Sequence, residues 1–167
     1  MSLPYAEPLT PLQPAEPVIP EPPRRGEPGG EPCGICGGVS TAALWSDELW
    51  TLHAPVNGSL PGTVWLASKE HFDSFADMPT PHAADFGRVC GMVERAILSL
   101  GGVARVHLYR WGDGGAHFHV WFIPRPEGML EARWMYLPIW EDVLPRVADE
   151  ELAAAAKRVA AAMETAG

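Results

Sequence analysis

Apolar residues recur along this chain with a period of two in some segments and of three to four in others, and the switches between the two predict its elements. Residues 49–53 and 63–67 read as strands. Between them lies Pro55-Val56-Asn57-Gly58-Ser59-Leu60-Pro61-Gly62, which is loop chemistry. A helix follows over 81–100: Thr80 is placed to cap it, Pro81 to occupy its first position and Gly101 to follow its end. Phe86, Val89, Val93, Ile97 and Leu100 form its buried stripe. Residues 103–110 alternate as a strand, Trp111-Gly112-Asp113-Gly114-Gly115-Ala116 turns the chain, and residues 117–123 return antiparallel as the second arm of a hairpin. In that arm Phe118, Val120 and Phe122 face one way, as core, while His117, His119 and Trp121 face the other. A last helix over 149–163 carries acids in its first turn and Lys157-Arg158 later, matching the helix dipole. A short helix or turn is expected at 40–44. Four or five antiparallel strands with helices packed on one face make an α+β domain.

Composition narrows the setting. With 167 residues the chain is long enough for one domain with a real core. Ten prolines crowd residues 1–32, which are therefore expected to be a disordered tail, with the folded domain over 33–167. Pro8-Leu9-Thr10-Pro11 has the spacing of a docking motif, which proline-rich composition also produces by chance. The formal charge of −9 argues against general nucleic-acid binding and against anionic membranes, but leaves room for a small phosphorylated ligand in a local pocket. No apolar run has the length of a membrane span and no secretory pattern opens the chain, so a cytoplasmic location is expected.

Two groups of residues carry chemistry. Cys33-Gly34-Ile35-Cys36-Gly37 has the shape of a knuckle that aims two thiolates at one ion. Zinc needs two further ligands, and His71 and His117, at the ends of strands of one sheet, are the chosen pair. A dithiol redox pair and two uncommitted cysteines are the competing readings, and iron or copper the competing metals. Cys90, beside the helical stripe, reads as a small buried hydrophobe. The second group centres on His119, an imidazole available as a neutral nucleophile near pH 7, with Gly114 and Gly115 upstream to offer N–H groups to a phosphate. Arg125 and Arg133 are further phosphate candidates. Trp134, Tyr136 and Trp140 could stack a base or acyl group, though a C-terminal cap on the core is the preferred reading.

The run His117-Phe118-His119-Val120-Trp121-Phe122-Ile123-Pro124-Arg125 resembles the signature of the histidine triad (HIT) superfamily of nucleotide hydrolases and transferases. Cys33 with Cys36, Pro55-Val56-Asn57, and Lys69-Glu70-His71 match further blocks found in bacterial members, in the same order. The resemblance implies a homodimer with zinc on Cys33, Cys36, His71 and His117, and His119 as nucleophile. It implies a nucleotide or other small phosphorylated substrate, processed through a covalent phosphohistidine-type intermediate. The alternative is a non-catalytic zinc-stabilised nucleotide-binding or interaction module. Departures from the pattern bear on that choice. Trp121 stands where the third histidine belongs, Thr63 where a strand-entry histidine is usual, and Leu52 where an acidic ribose contact is usual. Trp121 keeps an N–H donor but has no proton to release, so a substrate with a good leaving group is expected.

Overall fold

Val64 and Leu66 on one extended segment, and Val120 and Phe122 on another, turn the same way because side chains alternate along a strand. The sheet they build was located in a computed structural model that describes residues 3–5, 13–38 and 43–165. Among these residues β1 (Trp45–Ser46), β2 (Trp50–His53), β3 (Val64–Ser68), β4 (Val103–Tyr109) and β5 (His119–Pro126) form one antiparallel sheet in the order β1-β2-β3-β5-β4. Helices α1 (Thr80–Leu98), α2 (Tyr136–Val143) and α3 (Asp149–Thr165) complete the α+β fold. Among the described residues no helix is long and apolar enough to cross a membrane.

The two faces of the sheet are unequal. On one, Leu52, Leu66, Phe118, Val120 and Phe122 pack against Val89, Val93 and Ile97 of α1 and Val159 and Met163 of α3. Full burial of residues this size contributes about 1.5–3 kcal/mol each. On the other face Ile123 meets Leu60, Ala132 and Leu137, so α2 closes one end of that face and leaves the rest to the site.

Several boundaries differ from the expectation, each for a visible reason. Thr80 does not cap α1 but begins it, because the Ala83 N–H bonds the Pro79 carbonyl at 3.0 Å and extends the helix back by one residue. β5 starts at His119 rather than 117, since the Phe118 N–H goes to the Phe72 carbonyl at 2.6 Å, outside the ladder. It runs on through Pro124 to Pro126, which lies opposite Val103 at the strand's end. Of the turn expected at 40–44, residues 40–42 lie outside the described residues, and Leu44 gives its N–H to the Leu52 carbonyl at 2.7 Å instead of to a helix.

Residues 13–32 are not uniform. Residues 24–31 form a turn docked on the body, with the Gly26 N–H on the Glu31 carbonyl at 2.7 Å and the Ala116 N–H on the Arg25 carbonyl at 2.8 Å. Arg24 fastens it through Glu27, Asp73 and the Gly112 carbonyl.

Candidate active site and metal centre

The knuckle folds as its glycines allow. The Gly37 N–H bonds the Cys33 carbonyl at 3.0 Å, and the Cys36 N–H approaches the Cys33 sulfur at 3.4 Å. β3 ends just before His71, and His117 lies just before β5, so the sheet delivers both imidazoles to the knuckle. Cys36 Sγ lies 3.2 Å from His71 Nδ1 and 3.4 Å from His117 Nδ1, Cys33 Sγ lies 3.3 Å from His117 Nδ1, and the two Nδ1 atoms are 3.2 Å apart. All four ligand atoms fall within 4.8 Å of one another. A tetrahedral zinc with ordinary bond lengths has N···N and N···S edges of about 3.4–3.6 Å, which these four distances approach. His117 Nε2 donates to the Ser68 carbonyl at 2.8 Å, which fixes the tautomer that turns Nδ1 towards the sulfurs. Burial holds His117 below the ordinary imidazole value and so favours the neutral, ligating ring. Cys90 stays apart: burial pushes its thiol up to about 12, as suits a small hydrophobe against the core.

His119 is oriented by a different carbonyl. Its Nδ1 donates to the His117 oxygen at 2.7 Å, and its Nε2 has no hydrogen-bond partner among the described residues. The ring lines a cavity of about 340 Å³ together with Gly114, Gly115, Ile35 and Arg25. His119 and the two glycines are therefore brought together as expected. Arg25 was not anticipated, because it belongs to the proline-rich segment read as tail.

Trp121 shares the His119 face and pairs in register with Trp65, their rings 6.2 Å apart. Trp65 also meets the His119 ring edge-on at 6.3 Å and stacks on His53 at 4.1 Å. An aromatic row thus crosses β2, β3 and β5. Leu52 is fully buried in the main core, and its neighbour His53 supplies the stack on Trp65. Thr63 donates to the Leu60 carbonyl at 2.8 Å and serves the turn. Beyond the row lies a second cavity of about 540 Å³ lined by Asn57, Trp65, Trp121, Glu141 and Arg146. Burial, with Asp142 adding to it, pushes the Glu141 carboxyl up.

Arg125 is not free for a phosphate. It is buried, and its guanidinium donates to the Pro126 and Met129 carbonyls. Arg133 lies over the Trp134 ring at 5.7 Å, away from His119's cavity lining. Trp140 packs with Leu137 and Ile123 as part of a cap, Tyr136 begins α2, and Trp134 is exposed. Sequence reasoning missed Ser68, His53, Trp65 and Arg25. The alternation along β3, with Val64 and Leu66 in the core, is the signal that could have found Trp65; nothing local marked Arg25.

A two-cysteine, two-histidine knuckle beside an oriented histidine, on a sheet of this order, can be compared with known proteins. No family model and no curated protein matches the sequence. Solved structures do match. A hypothetical histidine triad nucleotide-binding protein from Sulfolobus tokodaii aligns with a TM-score of 0.59 at 17% identity, covering 80% of this chain and 91% of its own. The chain has the histidine triad fold. A Hit-like protein involved in cell-cycle regulation from Bartonella henselae aligns with a TM-score of 0.58 at 15% identity, covering 78% of this chain and 93% of its own. A Zn-bound histidine triad family protein from Mycobacterium smegmatis aligns with a TM-score of 0.56 at 20% identity, covering 80% and 91%.

Proposed function

We propose that this chain is a zinc-containing histidine triad protein that hydrolyses or transfers a phosphoryl or nucleotidyl group through His119. The observation that supports this most directly is the 2.7 Å contact from His119 Nδ1 to the His117 carbonyl. With the proton held on Nδ1, Nε2 is the nucleophile. A bond forms from Nε2 to phosphorus while the bond from phosphorus to the leaving group breaks, its electron pair departing with that group. Water then attacks phosphorus and loses its proton to solvent, the N–P bond breaks, and neutral His119 returns. Gly114 and Gly115 offer N–H groups to the phosphoryl oxygens. Cys33, Cys36, His71 and His117 would hold zinc, which supplies rigidity to the segment that aims His119. Trp121 contributes shape and an N–H donor but no proton, so substrates with leaving groups that need none, such as phosphates, are preferred. A cytoplasmic homodimer, with the domain over 33–167 joined by the docked turn at 24–31, belongs to the same reading.

The test is turnover of a panel of nucleoside phosphoramidates, dinucleoside polyphosphates and nucleoside diphosphates by the full-length chain. At least one phosphate-leaving substrate is expected to turn over, with His119→Ala reducing the rate about 10³-fold or more. Absence of turnover across the panel contradicts the reading.

The His53–Trp65 stack and Trp121 favour a second reading, a non-catalytic binding module. Turnover that His119→Ala abolishes and Arg105→Gln, an exposed change, preserves would exclude it.

A further inference from the structure

The two adjacent arginines of the docked turn have opposite fates. Arg24 is fully committed inward: its guanidinium binds Glu27, Asp73 at 2.6 Å and the Gly112 carbonyl at 2.6 Å. Arg25 uses its backbone inward and its side chain outward. Its carbonyl accepts the Ala116 N–H at 2.8 Å and it bridges to Gly115. Its exposed guanidinium has no hydrogen bond or ion pair among the described residues, and it lines the 340 Å³ cavity with His119, Gly114 and Gly115. Gly26 makes this approach geometrically allowed. It has φ +91, and a Cβ there would lie 3.3 Å from the His71 ring and 3.4 Å from the Ala116 carbonyl.

An unpaired arginine is ordinary on a surface. Here its Cα is pinned by main-chain bonds to the loop that precedes the paired histidines, and Arg24 supplies a second anchor one residue away. A cation left unpaired in a cleft of a chain carrying −9 overall is a place for an anion. The planar guanidinium fits two oxygens of a phosphate at once.

We propose that Arg25, delivered by the docked N-terminal turn, is an anion clamp that binds a phosphate ester or anhydride against His119. The clamp supplies fixed positive charge in the cavity that His119 lines, and so offsets negative charge gathering on the phosphoryl oxygens. It rests on the reading of His119's cavity as the phosphate site. It also makes part of the proline-rich segment a component of the site rather than an appendage.

The experiment titrates zinc-loaded full-length protein with inorganic pyrophosphate by calorimetry, for the wild type, Arg25→Gln, Arg25→Met and Arg25→Lys. The wild type is expected to bind, both neutral variants to lose about tenfold or more in affinity, and Arg25→Lys to fall between them, with melting temperature and zinc content unchanged. Neutral variants within twofold of the wild type, or a wild type that does not bind pyrophosphate, would overturn the clamp. So would loss of fold in all three variants, which would make Arg25 structural. The covalent reading fails separately: Arg25-dependent binding with no label ever placed on His119 would retain the clamp and remove the nucleophile.

Discussion

Two backbone carbonyls decide what each of the paired imidazoles offers. The Ser68 carbonyl accepts from Nε2 of His117 and leaves Nδ1 to the thiols, whereas the His117 carbonyl accepts from Nδ1 of His119 and leaves Nε2 to the cavity. Residues two apart on one segment thus turn their remaining ring nitrogens to different surroundings without any difference in side-chain type. Glu141 shows how residue environment sets pH dependence. Burial raises its carboxyl above its ordinary value of 4.5, so the folded chain binds its proton more tightly than the unfolded chain does. That stabilisation is fully present below the unfolded value of 4.5 and is lost as pH rises from there through the folded value, above which a constant penalty for burying the charge remains. Glu141→Gln is therefore expected to raise the urea midpoint at pH 7 relative to the wild type and to lose that advantage at pH 4. Equal differences at both values would contradict the direction.

At the scale of elements, the turn at 24–31 is held by few interactions, and Asp73 is shared between Arg24 at 2.6 Å and Arg110 at 3.6 Å. Asp73→Ala is expected to loosen that turn alone. Hydrogen exchange at the Ala116 N–H, which is bonded to Arg25, should quicken about tenfold or more, while Val93 in α1 keeps its protection. Unchanged exchange at Ala116 would show that Asp73 does not hold the turn. The four longer strands and α1 were legible because their periodicity is carried by large apolar residues, such as Val89, Val93 and Ile97, that the core also uses, whereas the two-residue β1 is too short to show a period. The knuckle and the paired histidines were legible because metal and phosphorus chemistry restrict residue type and spacing. α2 was not, since Pro138 and two aromatics hide an eight-residue helix whose burial rests chiefly on Leu137. The docked turn was not, because its contacts with Asp73, Gly112 and Ala116 span about fifty to ninety residues of sequence, and proline content outweighs every local signal of order.

Over the whole molecule, the sheet separates stability from chemistry. One face carries the apolar core, and the other carries the histidines, the aromatic row and two cavities, with the N-terminal turn closing one end and α2 the other. The zinc reading is tested at this scale. Protein purified without added metal is expected to hold about one zinc per chain, and His71→Ala to lose it with a fall in melting temperature, a cost of several kcal/mol given that structural zinc contributes on the order of 10 kcal/mol in small zinc-dependent folds. An unchanged melt with no metal in either protein would remove zinc from the account. The nucleophile is the central claim, and a trapped intermediate tests it most directly. Full-length protein mixed with a turned-over, α-labelled nucleotide, quenched in alkali and mapped by peptide mass spectrometry should carry the nucleotidyl group on His119, with none in His119→Ala. Turnover with no adduct on His119, or with an adduct on another residue, would contradict the account.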